Sequence, residues 1–115
     1  MNQLQKPINV HRAYHAHIYF NQDTLALATE LHHKIQSQFD LRLGRIITQP
    51  IGPHTQWSFQ VLFTREDFER FIPWLDENRG SLNVLVHADT GNDLDDHTLY
   101  AYWLGDEVNL DLRGF

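Results

Sequence analysis

Eight of the 115 residues are histidine, and two of them, His15 and His17, stand two apart within YHAHIYF. In an extended strand, residues i and i+2 share a face about 7 Å apart, so both imidazoles can approach one ion. Neutral imidazole is a metal ligand and, near neutral pH, a general acid or base. A third histidine, His87, closes the run LNVLVH. A common non-haem iron site takes two histidines and one carboxylate and leaves positions open. The carboxylates that could complete such a set are Asp93, Asp95, Asp96 and Glu107, all in an acidic C-terminal segment. A solvated loop is the plainer account of each. There is no cysteine, which excludes thiolate ligands, disulfides and a cysteine nucleophile.

The elements that must position these residues follow from periodicity. Alternation over 14–20 predicts a strand. Leu27, Ala28, Leu31, Ile35 and Phe39 recur at helical spacing and predict a helix over 23–39, started near Asn21 or Asp23. Residues 43–48 read as a short strand, Pro50, Gly52 and Pro53 as a turn, and 57–63 as a third strand. Thr64 and Asp67 resemble a capping box for a second helix whose buried stripe is Phe68, Phe71, Ile72 and Leu75. Pro73 lacks an amide hydrogen and should kink or shorten that helix; Gly80 should stop it. Residues 82–87 read as a fourth strand and Asp89–Asn92 as a turn. The stretch 94–103 favours a short helix over a strand, and 107–112 alternates like an edge strand. The order βαββαβ with a short C-terminal extension predicts an α+β, ferredoxin-like antiparallel sheet with both helices on one face. One domain over 1–115 is expected, with 1–10 as a mobile arm.

Alternation then sorts the side chains. Ala16, Ile18 and Phe20, with Trp57, Phe59, Val61, Phe63, Leu82, Val84 and Val86, should lie under the helices. The opposite face receives His15, His17, Tyr19, Ser58, Gln60, Asn83, Leu85 and His87. In the usual 4-1-3-2 strand order, His87 falls beside His15 and His17, which makes these three the candidate metal ligands. Tyr19 and Gln60 could hydrogen-bond a substrate on that face. His54 begins the third strand, at the far end of the sheet from His15. A twist and bulge could bring it closer, it could serve a site shared with another subunit, or it is a turn histidine. Arg79 could clamp a substrate carboxylate, or simply sit favourably at a helix C-terminus. His32 and His33 read as surface residues, and His11 receives no role. A face carrying Leu62 and Leu85 would be partly apolar, so a homodimer with a cleft at or near its interface is expected.

Nine basic residues against fifteen acidic ones give a net charge of -6, which speaks against a nucleic-acid partner. No run approaches about 18 consecutive apolar residues, so no membrane span is expected. The N-terminus lacks a secretory pattern, and a cytoplasmic protein is expected.

Taken together and in order, YHAHIYF at 14–20, GPHT at 52–55, SFQVLF at 58–63, WLDENRG at 74–80, LNVLVHADTGND at 82–93 and DHTLYAYWLG at 96–105 resemble the DOPA 4,5-dioxygenase family. The resemblance covers about residues 14–110. It implies a small, usually dimeric ferredoxin-like protein that opens a catechol ring beside the hydroxyl pair, using non-haem Fe(II) and O2. The family's histidine motifs fall on His15 and His17, His54, His87 and His97, and its NRG motif on Arg79. His54 or His97 would then be the catalytic acid or base. Ala88 stands where the family pattern has proline, a departure that touches the loop rather than the histidines. Two other functions fit the same residues: a metal-free module that binds a small phenol, and an enzyme using a metal other than iron.

Overall fold

A computed structural model describes residues 5–115. Strand β1 (Ala13–Phe20) is followed by a 3₁₀ turn (Gln22–Thr24) and helix α1 (Leu25–Gln38). Asn21 starts this run with a reciprocal cap: its Oδ1 accepts from Thr24 N at 3.1 Å, and Thr24 Oγ1 accepts from Asn21 N at 2.9 Å. Strand β2 (Arg42–Leu43), strand β3 (Trp57–Thr64) and helix α2 (Arg65–Asn78) come next. Strand β4 (Asn83–Ala88), a single helical turn α3 (Asp93–Asp96) and strand β5 (Ala101–Leu104) complete the chain. The five strands form one antiparallel sheet in the order β2-β3-β1-β4-β5. This is the expected α+β, ferredoxin-like arrangement with one added edge strand. Among the described residues no helix is long and apolar enough to cross a membrane.

The core lies where the alternation put it. Ile18, Val61, Val84 and Val86 face Leu31, Ile35, Phe71 and Leu75 of the two helices, all of them at most 1% exposed. Each such side chain contributes about 1.5–3 kcal/mol by leaving water. Most of the buried apolar surface therefore lies on the helix side of the sheet, and a smaller apolar cluster shares the other side with the polar residues.

Several local expectations are corrected. The second strand is not 43–48. Gly44 N donates to Gln60 O at 2.8 Å, and the next pairing is Ile47 with Ser58. Three steps on one chain against two on the other make a bulge, which ends the regular ladder. Helix α2 carries Pro73 without a break. Pro73 and Glu69, whose carbonyl loses its partner, both lie on the exposed side, where water can replace the missing bond. Thr64 makes no side-chain cap on α2, so the Thr64–Asp67 box does not form; Glu66 and Asp67 instead place negative charge in the first turn. The stretch 94–103 is divided between the short helix and an edge strand.

Residues 107–112 do not join the sheet. Leu110 pairs with His54, Asp111 N donates to Pro53 O at 2.8 Å, and Thr55 Oγ1 donates to Asn109 O at 2.6 Å. The alternation was real, with Val108 buried, but its partner is a loop folded over the sheet face. Val108 and Trp103 cover Leu85, which is 0% exposed. Of the two leucines expected to draw a second copy over this face, Leu85 is thus already covered and only half-buried Leu62 remains. Of the arm expected at 1–10, residues 1–4 lie outside the described residues. Gln5 O accepts from Trp103 N at 2.8 Å, and Tyr14 Oη donates to Ile8 O at 3.0 Å.

Candidate metal centre

On the sheet face away from α1 and α2, Tyr19, Leu85, Ala101, Trp103 and Val108 form a small apolar cluster. The histidines stand beside it, His87 opposite Ala101 and His17 opposite Leu85. The register sets His15 opposite His87 across β1 and β4, and His17 one step further along the same face. The opposition is a direct product of antiparallel pairing and period-2 alternation.

His54 reaches this face by a reversal. After the bulge the chain turns at 51–54, closed by His54 N to Ile51 O at 3.0 Å, with Gly52 at φ 58°. The C-terminal segment then pins the turn down. His54 is buried and its ring centre lies 4.1 Å from that of His17. Of the alternatives posed by its position, a bulge and turn within the chain bring it in. His97 follows α3, and its ring lies 4.2 Å from His87 and 6.2 Å from His54. Five histidines, two from β1 and one each from the 51–54 turn, β4 and the end of α3, thus border one cleft of about 230 Å³, with Asp89, Asp93 and Asp96 beside them and Pro53 and Phe115 at the rim.

Hydrogen bonds fix several of the tautomers. His87 Nδ1 donates to Ala88 O at 2.7 Å, which leaves Nε2 bare. His97 Nδ1 donates to Asp93 O at 2.7 Å, with the same result. His15 Nε2 lies 3.3 Å from Asp89 Oδ2. His17 Nε2 stands 3.0 Å from His87 Nε2; with that partner bare, it is the donor in the metal-free protein. Acceptors that orient imidazoles in this way are the usual outer support of metal-ligating histidines.

Burial favours the neutral form of three of these rings. It lowers His87 to about 3, an effect that the Ala88 carbonyl opposes and the neighbouring histidines reinforce. Burial, with the charge of His97, lowers His54 to about 4. His17 is lowered well below its ordinary value by burial first and then by the surrounding histidines. Neutral rings are what a metal requires, since a proton and a metal compete for the same lone pair.

Two groups of three offer ligand atoms within 4.8 Å of one another: His15, His17 and His87, and His17, His54 and His97. His17 belongs to both. Two nitrogens about 2.1 Å from one ion and at right angles to it would be about 3 Å apart. The 3.0 Å between His17 Nε2 and His87 Nε2 matches that spacing. This buried triad can hold a metal ion. Among the described residues no carboxylate joins either group. Asp96 is buried rather than solvated, and its oxygens are taken by Thr90 N and Oγ1 at 2.9 and 2.6 Å.

The remaining candidates are placed differently. Tyr19 is 1% exposed and its hydroxyl lies 2.7 Å from His54 Nδ1, so it positions a histidine and has no surface to offer a substrate. Tyr19→Phe is expected to cost about 1 kcal/mol of stability through that lost bond. It should also loosen the His54 ring, seen as a shifted and broadened His54 signal in histidine-selective NMR while the His87 signal stays in place. Gln60 is exposed, opposite His17 but outside the histidine cleft. Arg79 is not brought to the histidines. Its Nε donates to Asp76 Oδ1 at 2.8 Å and its Nη1 to Leu82 O at 3.2 Å, at the other end of β4 from His87. A Cβ at Gly105, where φ is +82°, would stand 2.9 Å from Arg79 Nη1 and 2.5 Å from Asn83 Oδ1. The NRG and WLG pieces therefore interlock as a structural joint. His32 is half-buried with Nε2 2.8 Å from Gly44 O, and His11 Nε2 lies 2.7 Å from Tyr102 Oη. Asp89 escaped the sequence reading, although its place two residues after His87 was a signal for the same face. Phe115, against His97 at 4.9 Å, had no such signal.

Fold and cluster together define a ferredoxin-like protein with a histidine-rich pocket on the sheet face away from the helices. The sequence model of the Dopa 4,5-dioxygenase family matches residues 14–114, and the chain belongs to that family. It is 45% identical over 112 residues to an uncharacterized 21.2 kDa protein of Botryotinia fuckeliana, covering 87% of this chain and 61% of that one. It is 32% identical over 110 residues to the DOPA 4,5-dioxygenase of Amanita muscaria, covering 88% of this chain and 48% of that one. The chain thus spans about half to three fifths of the length of these relatives. A crystal structure of a candidate dioxygenase from Nostoc punctiforme superposes with a TM-score of 0.84 at 36% identity, covering 91% of this chain and 92% of the other.

Proposed function

We propose that this chain is an extradiol ring-cleaving dioxygenase that acts on a catechol such as DOPA with non-haem Fe(II) and O2. The observation that carries the proposal is the convergence of five histidines on one cleft in a member of this family. In this reading His15, His17 and His87 hold the metal. Bound iron supplies a site for O2 and for the catechol oxygens, whose acidity it raises. His54 and His97 remain to handle protons. In the tautomer that holds its hydrogen on Nδ1, 2.7 Å from Tyr19 Oη, His54 would accept a catechol proton on Nε2 and return it later in the cycle. His97, with its Nε2 bare, can do the same from the opposite wall. Pro53 and Phe115 border the aromatic ring and limit water around it. A homodimer and a cytoplasmic setting belong to the same proposal.

An all-imidazole donor set also suits zinc or nickel, so the test separates the metals. Protein loaded anaerobically with Fe(II), then given L-DOPA or catechol in air, is expected to consume O2 and to form a yellow ring-opened product. The zinc-loaded protein should do neither. Stoichiometric iron without O2 uptake on any catechol overturns the proposal. Failure to retain any metal, with a phenol still bound, would point to the metal-free module.

A further inference from the structure

The polar sheet face runs beyond the histidines to its β2 edge, where one charged residue has no internal partner. Arg42 lies opposite Leu62, Leu62 opposite His15, and His15 opposite His87, so the four form a row across β2, β3, β1 and β4. Directly opposed residues share a face. Neighbouring strands are about 4.8 Å apart, which puts the Arg42 and His15 Cα atoms about 10 Å from one another. An arginine stem can lie along apolar surface such as Leu62 with its head beyond it. A cleft of about 330 Å³ connects the two, lined by Arg42, Leu62, His15 and Asp89. His15 and Asp89 also line the histidine cleft, so the two spaces meet at that pair.

Among the described residues Arg42 is exposed and has no carboxylate within ion-pair distance. Yet Asp40, Asp67 and Asp89 line the same cleft. Asp67 is engaged by Arg70 at 3.5 Å and Asp89 by His15 at 3.3 Å, which leaves Asp40 free of a cation. On the far side of the site, the space of about 410 Å³ beyond His97 is lined by Glu107 and by no lysine or arginine. It holds no fixed cation for an anionic tail.

We propose that Arg42 is a specificity-determining residue: it binds the carboxylate of a substrate whose aromatic ring occupies the histidine cleft. A DOPA-like substrate, as in the proposed function, would present that carboxylate. This rests on the catechol reading above. A free guanidinium presents a planar fork matched to a carboxylate. The acidic surroundings disfavour a purely anionic tail and give an ammonium a partner in Asp40. A tail carrying both charges therefore suits the cleft better than an acid or an amine alone.

The test measures anaerobic equilibrium binding by tryptophan fluorescence, then turnover in air, on the iron-loaded wild type, Arg42→Gln and Arg42→Lys. The probes are L-DOPA, 3-(3,4-dihydroxyphenyl)propionate, dopamine and 4-methylcatechol. Wild type is expected to favour L-DOPA over 4-methylcatechol by about tenfold or more. Arg42→Gln should weaken L-DOPA binding about 10- to 50-fold and leave dopamine and 4-methylcatechol within about twofold. Arg42→Lys should restore part of the loss, keeping the charge without the fork. Equal losses on all four probes, a preference for L-DOPA that survives Arg42→Gln, or no binding preference in the wild type would each overturn the assignment. Arg42-dependent binding without turnover would sink the dioxygenase reading and leave this subsite standing; turnover without any Arg42-dependent preference would do the reverse.

Discussion

Replacing His17 by alanine is expected to abolish metal retention and to lower O2 uptake about 1,000-fold or more, about 4 kcal/mol of transition-state stabilisation. His17 is the one histidine common to both triads, so its loss dismantles either arrangement. Its neighbours then decide between them. With the ion among His15, His17 and His87, His87→Ala also loses metal, while His54→Ala keeps the metal and loses turnover. With the ion among His17, His54 and His97, those two outcomes exchange. Metal analysis beside O2 uptake reads both. The fold should survive, because the principal core lies on the opposite face of the sheet; far-UV circular dichroism of each variant checks this. Full metal content in His17→Ala would remove the site.

The metal-free protein is expected to lose stability steeply as the pH falls from about 6.5 to about 4. Three buried histidines have folded-state values below the ordinary 6.5: His54 at about 4, His87 at about 3, and His17 well below. The unfolded chain protonates all three near their ordinary value, and the folded chain does not. Below that pH the unfolded state therefore holds more protons, and stability falls as the pH falls. Each group contributes up to about 1.4 kcal/mol per pH unit until its own folded value is reached, so the combined loss is several kcal/mol. Above pH 6.5 the contribution is fully present and the dependence is flat. Asp111, held at about 2 by its bonds to Arg113, titrates below this window. Urea denaturation from pH 8 to pH 4.5 tests the expectation; equal midpoints across that range would contradict it. Bound metal should move the fall to lower pH, because it competes with protons for the same nitrogens.

The strands, the helices and the parity of their faces were legible because each rests on a local period. His15, His17 and His87 could be placed together from alternation and strand order alone. What was not legible depended on contacts between irregular segments. The approach of His54 required the bulge after Gly44, the turn at 51–54 and the clasp of 108–111, none of which has a period. Leu110 and Val108 alternate as an edge strand would, but a hydrogen-bonded loop took the sheet's place as partner. Tyr19 was placed on the correct face, while its burial depended on Trp103, which arrives from a strand that the pattern blurred into a helix. Arg79 looked like a substrate clamp because charge alone does not reveal that a glycine two strands' length away, Gly105, leaves room for its guanidinium.

The opposed pairing of His15 with His87 has a further consequence for how errors propagate. Core and metal pocket are written on alternate residues of the same strands, so a shift of β1 by one position would exchange them. Ala16 and Ile18 would enter the cleft, and His15 and His17 would be driven beneath the helices. A chain with that mistake has neither a dry interior nor a binding pocket, and a single-residue insertion or deletion within β1 would impose it permanently. Metal capture at the proposed site would thus also be a proofreading signal, reporting that the sheet has closed in its one productive frame.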